Sequence, residues 1–67
     1  MLKSAQWREL QRWMTKQRHR LERLSNVQIA DEAPRLRGNV IPSTSDVAEL
    51  RKALGWRDAA ELSTRGW

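Results

Sequence analysis

The chain contains no cysteine, tyrosine or phenylalanine, and only one histidine, three glycines and two prolines in 67 residues. Without cysteine there can be no disulfide, no thiolate zinc site and no dithiol redox motif, so the usual staples of a very small domain are closed. His19 is the sole imidazole, and no glycine-rich phosphate loop occurs. Nothing therefore supplies a nucleophile with its base or a set of metal ligands at the required spacing. No catalytic residue, metal, cofactor or small-molecule substrate is expected. The adjacent Asp31 and Glu32 would point about 100° apart on a helix and cannot act as paired ligands. Charge interrupts the apolar residues every few positions, which leaves no stretch suited to a membrane span or a signal peptide; a cytoplasmic location is expected.

What the chain does have is basic charge and tryptophan. Thirteen Lys and Arg stand against eight Asp and Glu, and there are four Trp. A chain of 67 residues allows one domain, which buries roughly 60% of the surface its unfolded form exposes. Helices packed through a few large side chains are the route left to stability. The charge is unevenly placed. Residues 1–23 carry seven basic residues against Glu9 and Glu22, a net of +5, whereas residues 24–67 balance six against six. An excess confined to one segment points to an anionic partner for that segment.

Residues 4–24 read as one long amphipathic helix. Trp7, Leu10, Met14, Leu21 and Leu24 recur at spacings of three and four, with Gln17 in the remaining slot, as a single buried stripe requires. A stripe this narrow suits a short helical pair or a coiled coil in which Gln17 sets the register. Arg8, Arg12, Lys16, Arg20 and Arg23 form a band on the same helix, widened by Arg18 and His19, that could follow phosphates. Trp13 lies among them, placed to stack on a base or an arginine. The plainer interpretation is a solvated face with local pairs such as Glu9 with Arg12 or Glu22 with Arg18.

Two further helices are marked by their caps. Ser25-Asn26-Val27-Gln28 has the Ser-x-x-Gln form of a capping box, opening a helix that Pro34 should end or kink. Arg35-Leu36-Arg37 would add a last turn, with Gly38 and Asn39 as left-handed stop residues. Val40-Ile41-Pro42 is extended, because proline excludes helix from the residue before it. Ser43-Thr44-Ser45-Asp46 then caps a third helix with Val47, Leu50 and Leu54 inward, Arg51 and Lys52 near its C-terminal end, and Gly55 after it. Residues 57–67 hold a candidate short helix around Asp58 to Leu62 and the terminal Trp67, either folded back or displayed as a protein anchor. The expected fold is all-α: one domain of three to four helices, with the basic helix at 4–24, a helix-turn-helix-like unit at 25–56 and a tail or short helix at 57–67.

From Leu24 to Trp56 the order Leu24-Ser25-Asn26-Val27-Gln28-Ile29-Ala30, Ile41-Pro42-Ser43-Thr44-Ser45-Asp46-Val47 and Arg51-Lys52-Ala53-Leu54-Gly55 resembles the helix-turn-helix unit of small phage or plasmid regulatory proteins. The resemblance implies transcription regulation through double-stranded DNA, with Ser43, Thr44, Ser45 and Ala48 facing base edges and Arg51 and Lys52 approaching phosphates. A homodimer reading two half-sites would also be implied. The connection from Pro34 to Pro42 is longer than the short turn of that motif, and Asp46 and Glu49 lie on or beside its reading face. A second class of function remains open: an inhibitor or adaptor whose basic helix docks on an acidic protein surface, with Trp7, Trp13 and Trp67 as anchors. Membrane-surface binding is weaker, since Gln17 interrupts the narrow apolar stripe.

Overall fold

A computed structural model describes residues 2–56 of the chain as a small all-α bundle. Its elements are α1 (Ser4–Lys16), α2 (Arg18–Leu21), α3 (Asn26–Glu32) and α4 (Thr44–Ala53). The short helix expected around Asp58 to Leu62, and Trp67 with it, lie outside the described residues.

The first stripe serves the chain's own core. Leu10, Met14 and Leu21 are fully buried together with Ile29 and Val47, while Leu2, Leu36, Leu50 and Trp56 complete the cluster. Trp7, Trp13 and Leu24 pack half-buried against it. The expectation of one helix through residue 24 is corrected at Gln17, where φ is −104° and ψ is 17°. There the backbone N–H is shared between the carbonyls of Trp13 and Met14, at 3.2 Å each. Gln17 is exposed, so no apolar side chain holds this turn to the core, and the helix breaks at the one polar slot in its stripe. The coiled-coil reading goes with it: Leu10, Met14 and Leu21 are already buried within the chain, and Gln17 stands in solvent.

Both serine caps form as their spacing requires. Ser25 Oγ accepts from the N–H of Gln28 at 3.2 Å, and Gln28 Oε1 accepts from the N–H of Ser25 at 2.9 Å. Ser43 and Asp46 repeat the arrangement at 3.2 and 2.9 Å. The helix α3 stops at Glu32, and Ala33, preceding Pro34, is extended with ψ 139°, as the steric demand of a following proline predicts. The chain then departs from expectation. Residues 35–37 form no final helical turn; Leu36 and Val40 instead make an antiparallel bridge with hydrogen bonds of 2.7 and 3.2 Å. Gly38 and Asn39 do take left-handed φ values of 80° and 63°, but they turn a tight hairpin instead of closing a helix. That hairpin docks on α1: Gln6 Nε2 donates to the carbonyl of Arg37 at 2.8 Å, and Glu9 accepts from the Arg37 N–H at 3.0 Å while pairing with its guanidinium at 3.3 Å.

The helices α3 and α4 pack most closely against one another, and Arg51 fastens α4 to the link before α3. It is 2% exposed. Its guanidinium donates to the carbonyls of Leu24 and Glu22, both at 2.7 Å, and to Asn26 Oδ1 at 3.3 Å. After Gly55, whose φ of 77° ends α4, Trp56 folds into the core with Arg18 over its ring, 5.8 Å from the centroid.

Candidate nucleic-acid interface

The exposed residues of α1 are Ser4, Arg8, Gln11, Arg12, Thr15 and Lys16, so its outward face holds three cations and no carboxylate. Its one acid, Glu9, is turned aside to Arg37. Arg8, Arg12 and Lys16 follow one another at four-residue intervals on an unbroken helix, and none has an ion pair among the described residues. With Gln11 and Thr15 they line a shallow open depression. The two polar side chains were not among the residues the sequence singled out, although their positions three and seven after Arg8 place them on the same face.

The rest of the expected band does not continue this line. Beyond the break at Gln17, Arg20 is exposed but paired with Glu32 of α3. Arg18 pairs with Glu22 at 3.2 Å, as anticipated, and covers Trp56. Arg23 is exposed just after α2. The pairing of Glu9 with Arg12 is replaced by Glu9 with Arg37, because the hairpin delivers a guanidinium and a backbone N–H to the same carboxylate.

On α4 the contrast is sharp. Its exposed residues are Thr44, Ser45, Glu49, Lys52 and Ala53, a face with one acid and one base. Ser43 is also exposed, with its hydroxyl oxygen accepting in the cap. Arg51, expected at a phosphate, is corrected to a core residue: three acceptors of the 22–26 link hold it inside, and a guanidinium so placed cannot reach a ligand. Helical spacing offered a signal that separates it from Lys52: Arg51 stands four residues after Val47 and three before Leu54, beside the inward stripe, whereas Lys52 falls on the far side.

Trp7 and Trp13 pack against the core and are half-buried, so neither stands free on the basic face. Trp7 keeps one edge open, lining an apolar groove with Glu49, Leu50, Lys52 and Ala53 of α4. Among the described residues no cluster of His, Asp or Glu could hold a metal ion, and no helix is long and apolar enough to cross a membrane. No protein family, curated protein or solved structure matches this chain.

Proposed function

We propose that this chain is a nucleic-acid-binding module that grips the phosphate backbone of a duplex with the outward face of α1. The observation that carries the reading is the row Arg8, Arg12 and Lys16: exposed, on successive turns, with no ion pair among the described residues and no carboxylate on the exposed face of α1. Four residues of helix rise about 6 Å, so the row spans about 12 Å. One strand of a duplex presents about three to four phosphates over that length. Cations already paired within the protein would gain little from phosphate, since they would exchange one partner for another. These three exchange only water and mobile ions, and their binding releases the counterions condensed on the nucleic acid.

Affinity on this reading is mostly independent of sequence. Phosphate contacts orient a protein without reading bases, and α4 brings a near-neutral exposed face in which Glu49 opposes the polyanion. Any base readout by α4 falls to Thr44 and Ser45, and the helix-turn-helix regulator implied by the resemblance is the sequence-selective form of the same proposal. The alternative of an acidic protein partner would use the same three cations, but Trp13 packs half-buried on the core and the open edge of Trp7 lies in the groove beside α4, not among those cations.

The test is a fluorescence anisotropy titration of a labelled mixed-sequence duplex at several salt concentrations, using the full chain. Each neutralised phosphate contributes about 0.9 to the slope of log affinity against log salt. The combined Arg8→Ala, Arg12→Ala and Lys16→Ala variant should flatten that slope by about 2.7 units, whereas Thr44→Ala should leave it unchanged and act, if at all, on preference between sequences. An unaltered slope in the triple variant, or no binding by the parent chain at low salt, would overturn the proposal.

A further inference from the structure

We infer that the groove between α1 and α4 is a self-association surface, and that its occupant is a second copy of this chain related by a two-fold axis. The inference stands apart from nucleic-acid binding and would hold if that failed. Trp7 lies along one side of the groove, while Leu50 and Ala53 form its apolar α4 side and Glu49 and Lys52 its charged edge. Trp7 is half-buried although it belongs to the residues packed on the core. An indole edge left open beside a small alanine is a surface on which another helix can come close.

The charges say which helix. Glu49 and Lys52 are three residues apart, hence neighbours on the surface of α4. Both are exposed, and neither has an ion pair among the described residues. In a two-fold interface every contact occurs twice, residue i of one copy on j of the other and j on i. Two α4 helices running antiparallel across the axis would set Glu49 of each copy against Lys52 of the other. An edge carrying one charge of each sign is its own complement, whereas a uniformly acidic or basic partner would meet repulsion at one of the two. On the α1 side, helical spacing sets the exposed Ser4 and Gln11 between Trp7 and the row Arg8 and Arg12, with Lys3 one turn before Trp7 as the cation nearest the groove. Two chains of net charge +5 can therefore meet there without opposing the rows of Arg8, Arg12 and Lys16. The row of free cations on α1 stays outside the contact in both copies.

The experiment is sedimentation equilibrium of the full chain, freed of nucleic acid, over a range of concentrations, with Glu49→Lys, Lys52→Glu and the double exchange compared with the parent. Both substitutions are at exposed helical positions that accept either residue. The expected result is a monomer–dimer equilibrium that each single change weakens by about tenfold, since each places like charges together twice. The double exchange restores it by recreating both pairs in reverse. The Lys52→Glu arm is decisive. It lowers net charge, so relief of overall repulsion would strengthen association, and only a facing pair predicts that it weakens. A parent chain that stays monomeric at all concentrations, as it would if the groove were covered within the chain or by another partner, overturns the inference. So does a dimer indifferent to the single changes, or one that the double exchange fails to restore.

Discussion

Replacing Arg51 by methionine separates the two roles that position 51 can have. Read as a phosphate contact, the residue should matter for binding and little for stability. The structure implies the reverse. Its guanidinium makes two 2.7 Å hydrogen bonds to carbonyls of Glu22 and Leu24 as well as one of 3.3 Å to Asn26. A hydrogen bond from a charged donor contributes about 1.5–3 kcal/mol. The two short ones therefore sum to about 3–6 kcal/mol, and methionine recovers part of this because the cost of desolvating the charge disappears with it. A net loss of about 3 kcal/mol is expected. A domain of this size holds only about 3–10 kcal/mol in all, and each kcal/mol corresponds to about 4–8 °C in Tm, so the midpoint should fall by about 12–24 °C. The assays are urea unfolding for the free energy and thermal unfolding for Tm, both followed by circular dichroism and tryptophan fluorescence. Arg23→Met, at an exposed position just after α2, serves as control and should change stability by about 0.5 kcal/mol or less. Arg51→Lys should fall between, since a single ammonium cannot spread over acceptors arranged for a planar fork. A loss below about 1 kcal/mol in Arg51→Met, or lost duplex binding with stability intact, would refute the assignment of Arg51 to the core.

Ser43→Ala removes the acceptor that holds the N–H of Asp46 and should cost about 1 kcal/mol in urea unfolding while leaving the salt slope of duplex binding unchanged. Gly38→Ala would set its Cβ in ordinary van der Waals contact with the side chains of Gln6 and Val40, at 3.9 and 4.0 Å, without a clash, but must hold φ at +80°. Thermal unfolding should show a loss of about 1 kcal/mol, and a neutral result would mean that the hairpin is not held in this turn.

The elements that follow from neighbours in the chain were legible without coordinates. The serine caps, the stop before Pro34, the left-handed Gly38, Asn39 and Gly55 and the core stripe Leu10, Met14 and Leu21 all rest on spacings of a few residues. The break at Gln17 was half legible: the polar slot in the stripe was visible, but whether it would be buried as a register residue or released to solvent depends on whether another helix covers it. At the candidate site the division is the same. The four-residue rhythm of Arg8, Arg12 and Lys16 is a local property, and so is the shared face of Gln11 and Thr15. That Arg20 is diverted to Glu32 is not.

The sequence by itself determined where α1, α3 and α4 begin, which stripe of each is apolar, and that the surplus charge belongs to the first segment, because capping, φ preferences and periodicity act within one or two turns. Only the tertiary structure decided what each charge faces. Arg51 finds its acceptors 25–29 residues back, Glu9 and Gln6 meet Arg37 across 28–31 residues, and Arg20 reaches Glu32 twelve residues on. Such pairings are set by how the core brings distant segments together. Whether an arginine is a buried clasp, half of an ion pair or a free cation is therefore settled by packing, and that distinction leaves Arg8, Arg12 and Lys16 as the row open to a ligand.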